Sequence, residues 1–172
     1  MSLYFAGPAK WRFVLSLVLN IVIGPILTMW FLKRQGLIDS MSMPSLKGRS
    51  LVYLSVAVWY VFTFILMKRV QLPRVTETMF LGILIVLLAL AAFSLIKKVS
   101  AHVAAMGGAL AALTWMFWFY GIFHFGWLTV FLLLVGLVAS MRLHLQAHTQ
   151  SEVGLGFLLG FISVWMPLYL IV

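Results

Sequence analysis

The 172-residue chain contains no cysteine, and only 3 acidic residues stand against 12 lysines and arginines. Without cysteine, a disulfide framework, a thiolate metal site and a thiol nucleophile are excluded, and the redox compartment is left undetermined. Charge is scarce altogether: 9% of residues are charged and 65% hydrophobic, with a mean hydropathy of +1.15. Soluble domains are about one quarter charged. This chain therefore cannot cover itself with a water-compatible surface, and it belongs in a bilayer.

The formal net charge of +9 would point to nucleic acid in a soluble protein. In so apolar a chain, basic residues beside the spans instead anchor helix ends at the headgroups. No nucleic-acid motif is present, and membrane lipids are the expected partners.

Six apolar runs lie near residues 12–32, 50–67, 78–96, 100–120, 123–142 and 152–172, each close to the roughly 20 residues that cross the hydrocarbon. Backbone polar groups in lipid must be satisfied within their own segment, so each run is expected to be a helix. The expected fold class is all-α integral membrane, a six-transmembrane-helix bundle forming one domain over residues 1–172. No connection is long enough to separate domains, and no soluble domain is expected at either end. The N-terminal MSLYFAGPAKWR lacks a cleavage-site pattern, so the first span reads as a retained anchor. Trp30, Trp115, Trp118, Trp165 and Tyr169 fall toward span ends and are expected at the membrane interface. Small residues four apart, Ala101 with Ala105, Ala104 with Gly108 and Gly156 with Gly160, permit close helix approach.

Six spans put both termini on one side. Lys10, Arg12, Lys68, Arg69 and Arg74 then share that side, while Lys33, Arg34, Lys47, Arg49, Lys97, Lys98 and Arg142 lie opposite. The division is too even for the positive-inside rule to orient the chain. The same parity brings KKVSAH (97–102) and RLHLQAHTQSE (142–152) to one membrane surface. His124 falls on the other face and is given no role.

A charge at the bilayer centre costs ~2.5–3.5 kcal/mol on insertion scales, and charges near the edge usually have a partner or a ligand. Lys97, Lys98 and Arg142 form a cationic rim suited to an anion, and an arginine fork matches phosphate oxygens bidentately. Ser100 is placed to cap the fourth span, whose free N–H groups and positive dipole end face the same spot.

These segments resemble motifs of the type-2 phosphatidic acid phosphatases, which share their fold with the vanadium haloperoxidases. Ser100-Ala101-His102 is similar to the family's Ser-Gly-His motif. Arg142, five residues, His148, three residues and Glu152 reproduce the spacing of its Ser-Arg…His…Asp motif, with Met141 in place of the serine and glutamate in place of the aspartate. Val153 and the glycines of VGLGFLLG resemble the segment that follows. The family's remaining motif, a lysine followed by Arg-Pro, is absent. The chain in this respect resembles a short bacterial integral-membrane subgroup in which a basic residue, here Lys97 or Lys98, precedes Ser-x-His.

The resemblance implies a phosphatase acting on a lipid phosphate or diphosphate in the bacterial inner membrane. His148 would attack phosphorus to give a phosphohistidine, oriented by Glu152. His102 would protonate the leaving oxygen and then activate water. Lys97, Lys98, Arg142 and the backbone near Ser100 would hold the equatorial oxygens, with no metal and no other cofactor. Phosphatidate, phosphatidylglycerophosphate, undecaprenyl diphosphate and a lipid A phosphate are the candidate substrates.

Two other readings stand beside this one. His144, His148 and Glu152 fall at i, i+4 and i+8. On a continuous helix they would form a stripe able to bind zinc, with His102 as a fourth ligand, in a metal-dependent hydrolase. Alternatively, the chain is a non-catalytic relative that binds or moves lipids.

Overall fold

The computed structural model describes residues 8–38, 46–70 and 72–171. All regular structure among them is helical, and six helices are long and apolar enough to cross a membrane. The first crossing combines α1 (Pro8–Val18), a π-helical turn (Leu19–Ile23) and α2 (Gly24–Arg34). Pro25 accounts for the interruption. It lacks an N–H, and its ring crowds the carbonyl one turn earlier, so the hydrogen-bond ladder widens just before it.

The other crossings are α3 (Leu46–Val70), α4 (Arg74–Phe93), α5 (Ala101–Tyr120), α6 (Phe125–His144) and α7 (Gln150–Ile171). At ~1.5 Å per residue, helices of 20 to 25 residues match the ~30 Å hydrocarbon layer. The crossings fall within a few residues of the sequence expectation. The third lies a few residues earlier than expected at both ends, starting at Arg74 because Pro73 holds the N-cap position and ending at Phe93. Gly121 ends α5 in the left-handed region at φ 65°, the conformation that glycine adopts without steric cost.

The centre of the bundle is the α5–α7 contact. A Cβ on Gly156 would lie 2.6 Å from the Ser100 carbonyl oxygen, and one on Gly160 would overlap the Ala104 carbonyl. Only glycine lets the two backbones come this close. On the other side of α7, Gly82 of α4 lies against Val164. Val86, Leu90, Val99, Ala104, Ala111, Trp115, Val164 and Leu168 form the main buried cluster. The first crossing packs on α3, where Trp59 lies over Gly24 and donates its indole N–H to Thr28 Oγ1 at 2.9 Å. No residue of α6 is buried, so it is the least embedded helix of the bundle.

Trp115 departs from the expectation. Its side chain is fully buried and stacks on Phe119, because it continues the inward stripe of Ala104 and Ala111 along α5. Trp165 also packs against this cluster, whereas Trp30, Trp118 and Tyr169 are exposed, as an interface position requires.

Candidate functional site

The two polar connections meet, as helix parity dictates. The Ser100 N–H donates to the Glu152 carbonyl oxygen at 3.3 Å, and Lys97 Nζ donates to Ser151 Oγ at 2.9 Å. The N-termini of α5 and α7 are therefore tied together, and two positive dipole ends adjoin at one membrane surface.

Ser100 occupies the N-cap position of α5, but its side chain makes no capping bond. Its hydroxyl is wholly buried and makes no hydrogen bond to any described residue. The Ser100 N–H itself is committed to Glu152. Helix geometry leaves the N–H groups of Ala101, His102 and Val103, the next three along the chain, without acceptors inside α5. His102 is exposed in this first turn.

On the other strand of the site, α6 ends at His144 and the chain reverses sharply. Gln146 adopts φ 50°, uncommon for a residue with a Cβ, and the Ala147 N–H reaches back to the Arg142 carbonyl at 3.2 Å. This turn breaks the stripe on which the zinc reading depends: His144 is exposed on α6 while His148 lies beyond the reversal, just before α7. No group of three His, Asp or Glu side chains suited to a metal occurs among the described residues.

The reversal places His148 inside the protein. Its Nδ1 lies 2.9 Å from Glu152 Oε2, and its side chain is 2% exposed. An ionised carboxylate can only accept, so Nδ1 carries the proton and Nε2 keeps its lone pair. Burial pushes the His148 imidazole below its ordinary pKa. The charges of Arg49 and Arg142 act in the same direction, against the opposing influence of Glu152. The ring is thereby held neutral at pH 7.

Glu152 has a second duty that the motif spacing did not reveal. Its Oε2 also accepts the Thr149 N–H at 3.2 Å, while the Glu152 N–H lies 3.4 Å from Thr149 Oγ1. This is a reciprocal capping box at the start of α7. Its signature, Thr149-x-x-Glu152, was present in the sequence. Glutamate at this position suits such a box, since the longer side chain reaches back to the cap while still meeting His148.

Arg142, in the last turn of α6, lies within electrostatic reach of His102, His148 and Tyr53. Its Nε is buried with no hydrogen-bond partner among the described residues. Lys98 is exposed, and its charge acts on Glu152. A further cation was missed. Arg49, in the first turn of α3, acts on His148 and sits beside the Tyr53 hydroxyl. Parity had already put Arg49 on this face, but no motif set it apart from the headgroup anchors. Lys68 and Glu77, by contrast, form an ion pair between the far ends of α3 and α4.

Comparisons with family models, with curated proteins and with solved structures find no match to this chain.

Beneath the polar end, among α3 to α7, an apolar cavity of about 630 Å3 begins at Tyr53 and Ala101. The site thus combines a neutral, oriented imidazole, a second histidine, several cations and two helix N-termini. That set can bind a tetrahedral anion and attack it.

Proposed function

We propose that the chain is a membrane-embedded, metal-independent phosphatase of the type-2 phosphatidic acid phosphatase kind, cleaving a lipid phosphate or diphosphate. The observation that carries this reading is the 2.9 Å His148–Glu152 hydrogen bond within reach of Arg142 and Arg49.

In the proposed reaction, the His148 Nε2 lone pair attacks phosphorus, the P–O bond to the lipid breaks, and His102 donates a proton to the departing oxygen. His102 then takes a proton from water, whose oxygen attacks the phosphohistidine. The P–N bond breaks, returning the lone pair to Nε2 and releasing inorganic phosphate. Arg142, Arg49 and the lysines neutralise the charge on the equatorial oxygens. Arg49 supplies a cation from a part of the chain unrelated to the absent lysine…Arg-Pro motif. The substrate's tail stays in the bilayer, and the bacterial inner membrane is the proposed location.

The test uses purified protein with phosphatidate, phosphatidylglycerophosphate and undecaprenyl diphosphate, with and without EDTA, beside His148→Ala and His102→Ala. Phosphate release that survives EDTA and is lost in both variants is expected. Activity persisting in His148→Ala overturns the proposal, and lipid binding without any phosphate release favours the non-catalytic relative.

A further inference from the structure

The apolar cavity under the site has a length as well as a volume. Its lining includes Tyr53 and Ala101 at one end and Tyr60, Met79, Met116 and Phe131 at the other. Helix register orders them by depth. At ~1.5 Å per residue, Met116 lies about 22 Å beyond Ala101 along α5. The same count puts Tyr60 about 10 Å deeper than Tyr53 along α3. Met79 and Phe131 lie in the halves of α4 and α6 remote from the site. The cavity is therefore a shaft along the membrane normal, reaching from the cationic end to beyond the mid-plane, since one leaflet's share of hydrocarbon is ~15 Å.

Ala101, Ala105 and Ala109 of α5 all line it. Ala105 and Ala109 are exposed to the shaft, so it stays open because alanine methyls cannot fill it. The volume falls in the range of ~300–1,000 Å3 typical of small-molecule pockets. Cations and a buried Ser100 hydroxyl with no partner among the described residues stand over a wall that is almost wholly apolar. That arrangement complements an anionic headgroup with one hydrocarbon chain of bounded length seated in the cavity.

We infer that the shaft holds the hydrocarbon chain of the phosphorylated lipid and sets the preferred chain length. The inference rests on the phosphatase reading for the headgroup's fate but not for its binding. A tail leaving the bilayer gains no transfer from water, because it is already in hydrocarbon. Selection must therefore come from fit: a matching chain fills the shaft, a short one leaves voids, and an overlong one must fold or protrude. A polyprenyl chain several times the shaft's length would fit poorly.

The experiment offers butyl, decyl, tetradecyl and octadecyl phosphate in mixed micelles at one surface fraction. Phosphate release is measured. In parallel, binding of the intact phosphates is measured by competition with a spin-labelled alkyl phosphate, which needs no chemistry. Both profiles should peak at one chain length and fall by roughly tenfold for a badly mismatched chain. Ala109→Phe blocks the shaft about 12 Å below Ala101 and should move the peak to a shorter chain, as should Ala105→Leu. Leu133→Phe, on the exposed side of α6, should leave the peak in place. A length-dependent binding profile without phosphate release sinks the phosphatase reading and leaves the shaft standing. Phosphate release with a flat profile, or with a peak that Ala109→Phe and Ala105→Leu both fail to move, overturns the shaft.

Discussion

The Ser100 N–H and the Glu152 carbonyl oxygen are 3.3 Å apart, although 52 positions separate them in the chain. That one bond joins the helix start carrying His102 to the helix start anchoring His148. Its survival depends on Gly156, where a Cβ would sit 2.6 Å from the Ser100 carbonyl oxygen.

Gly156→Ala should therefore force α5 and α7 apart. A destabilisation of about 1–3 kcal/mol is expected from overpacking, together with loss of phosphate release. Gly154→Ala, which meets nothing within 4 Å, should melt at or slightly above the parent temperature, since alanine favours helix over glycine. Thermal unfolding in detergent compares the two, and equal melting points would show that the close approach is unnecessary.

Glu152→Gln separates two duties. Glutamine also serves at the third position of a capping box, so stability should fall by no more than about 1 kcal/mol. As a neutral amide it cannot stabilise a charged imidazole, and turnover should fall by about a hundredfold or more. A variant with full activity would remove Glu152 from the mechanism.

The depressed His148 pKa gives the pH dependence a sign. Folding favours the neutral ring, so this stabilisation is complete above the unfolded pKa of 6.5. It is lost as the pH falls through the lower folded value. Turnover should show an acid limb below pH 6.5 for the same reason, because a protonated Nε2 cannot attack. Paired melting curves and pH–rate profiles for the parent and His148→Gln check both. A parent limb lying above 6.5 would contradict the arrangement.

Arg142→Ala should reduce phosphate release by about 10²–10³, the usual cost of removing a donor to developing charge. Arg49→Ala should cause a loss of the same kind, measured as kcat/KM. Retention of parent activity in Arg49→Ala would return it to the headgroup anchors.

His144→Ala is the counterpart on the rival reading. His144 is exposed, and its substitution should change stability by less than about 0.5 kcal/mol and leave phosphate release unchanged. A loss matched by EDTA sensitivity would revive the metal stripe.

The crossings were legible because hydrophobic length is a strong signal, and parity alone brought residues 97–102 and 142–152 together. What sequence could not supply was the direction of side chains around each helix. Trp115 sits near a span end like the exposed Trp118, yet three positions of rotation turn it inward into the buried cluster. The i, i+4, i+8 spacing of His144, His148 and Glu152 assumed a continuous helix, and only the backbone at Gln146 shows the reversal. Arg49 was hidden because charge near a membrane edge has a common alternative use. The Thr149-x-x-Glu152 box was readable, but the family spacing gave Glu152 an explanation that did not need it.

One carboxylate serving both a helix start and an imidazole has an evolutionary cost. A shorter acid would have to give up one partner, and an alanine would give up both; only glutamine keeps the cap while losing the charge. The helix start alone is then reason enough to keep a capping side chain here, so retention of glutamate at 152 does not by itself signal retained turnover.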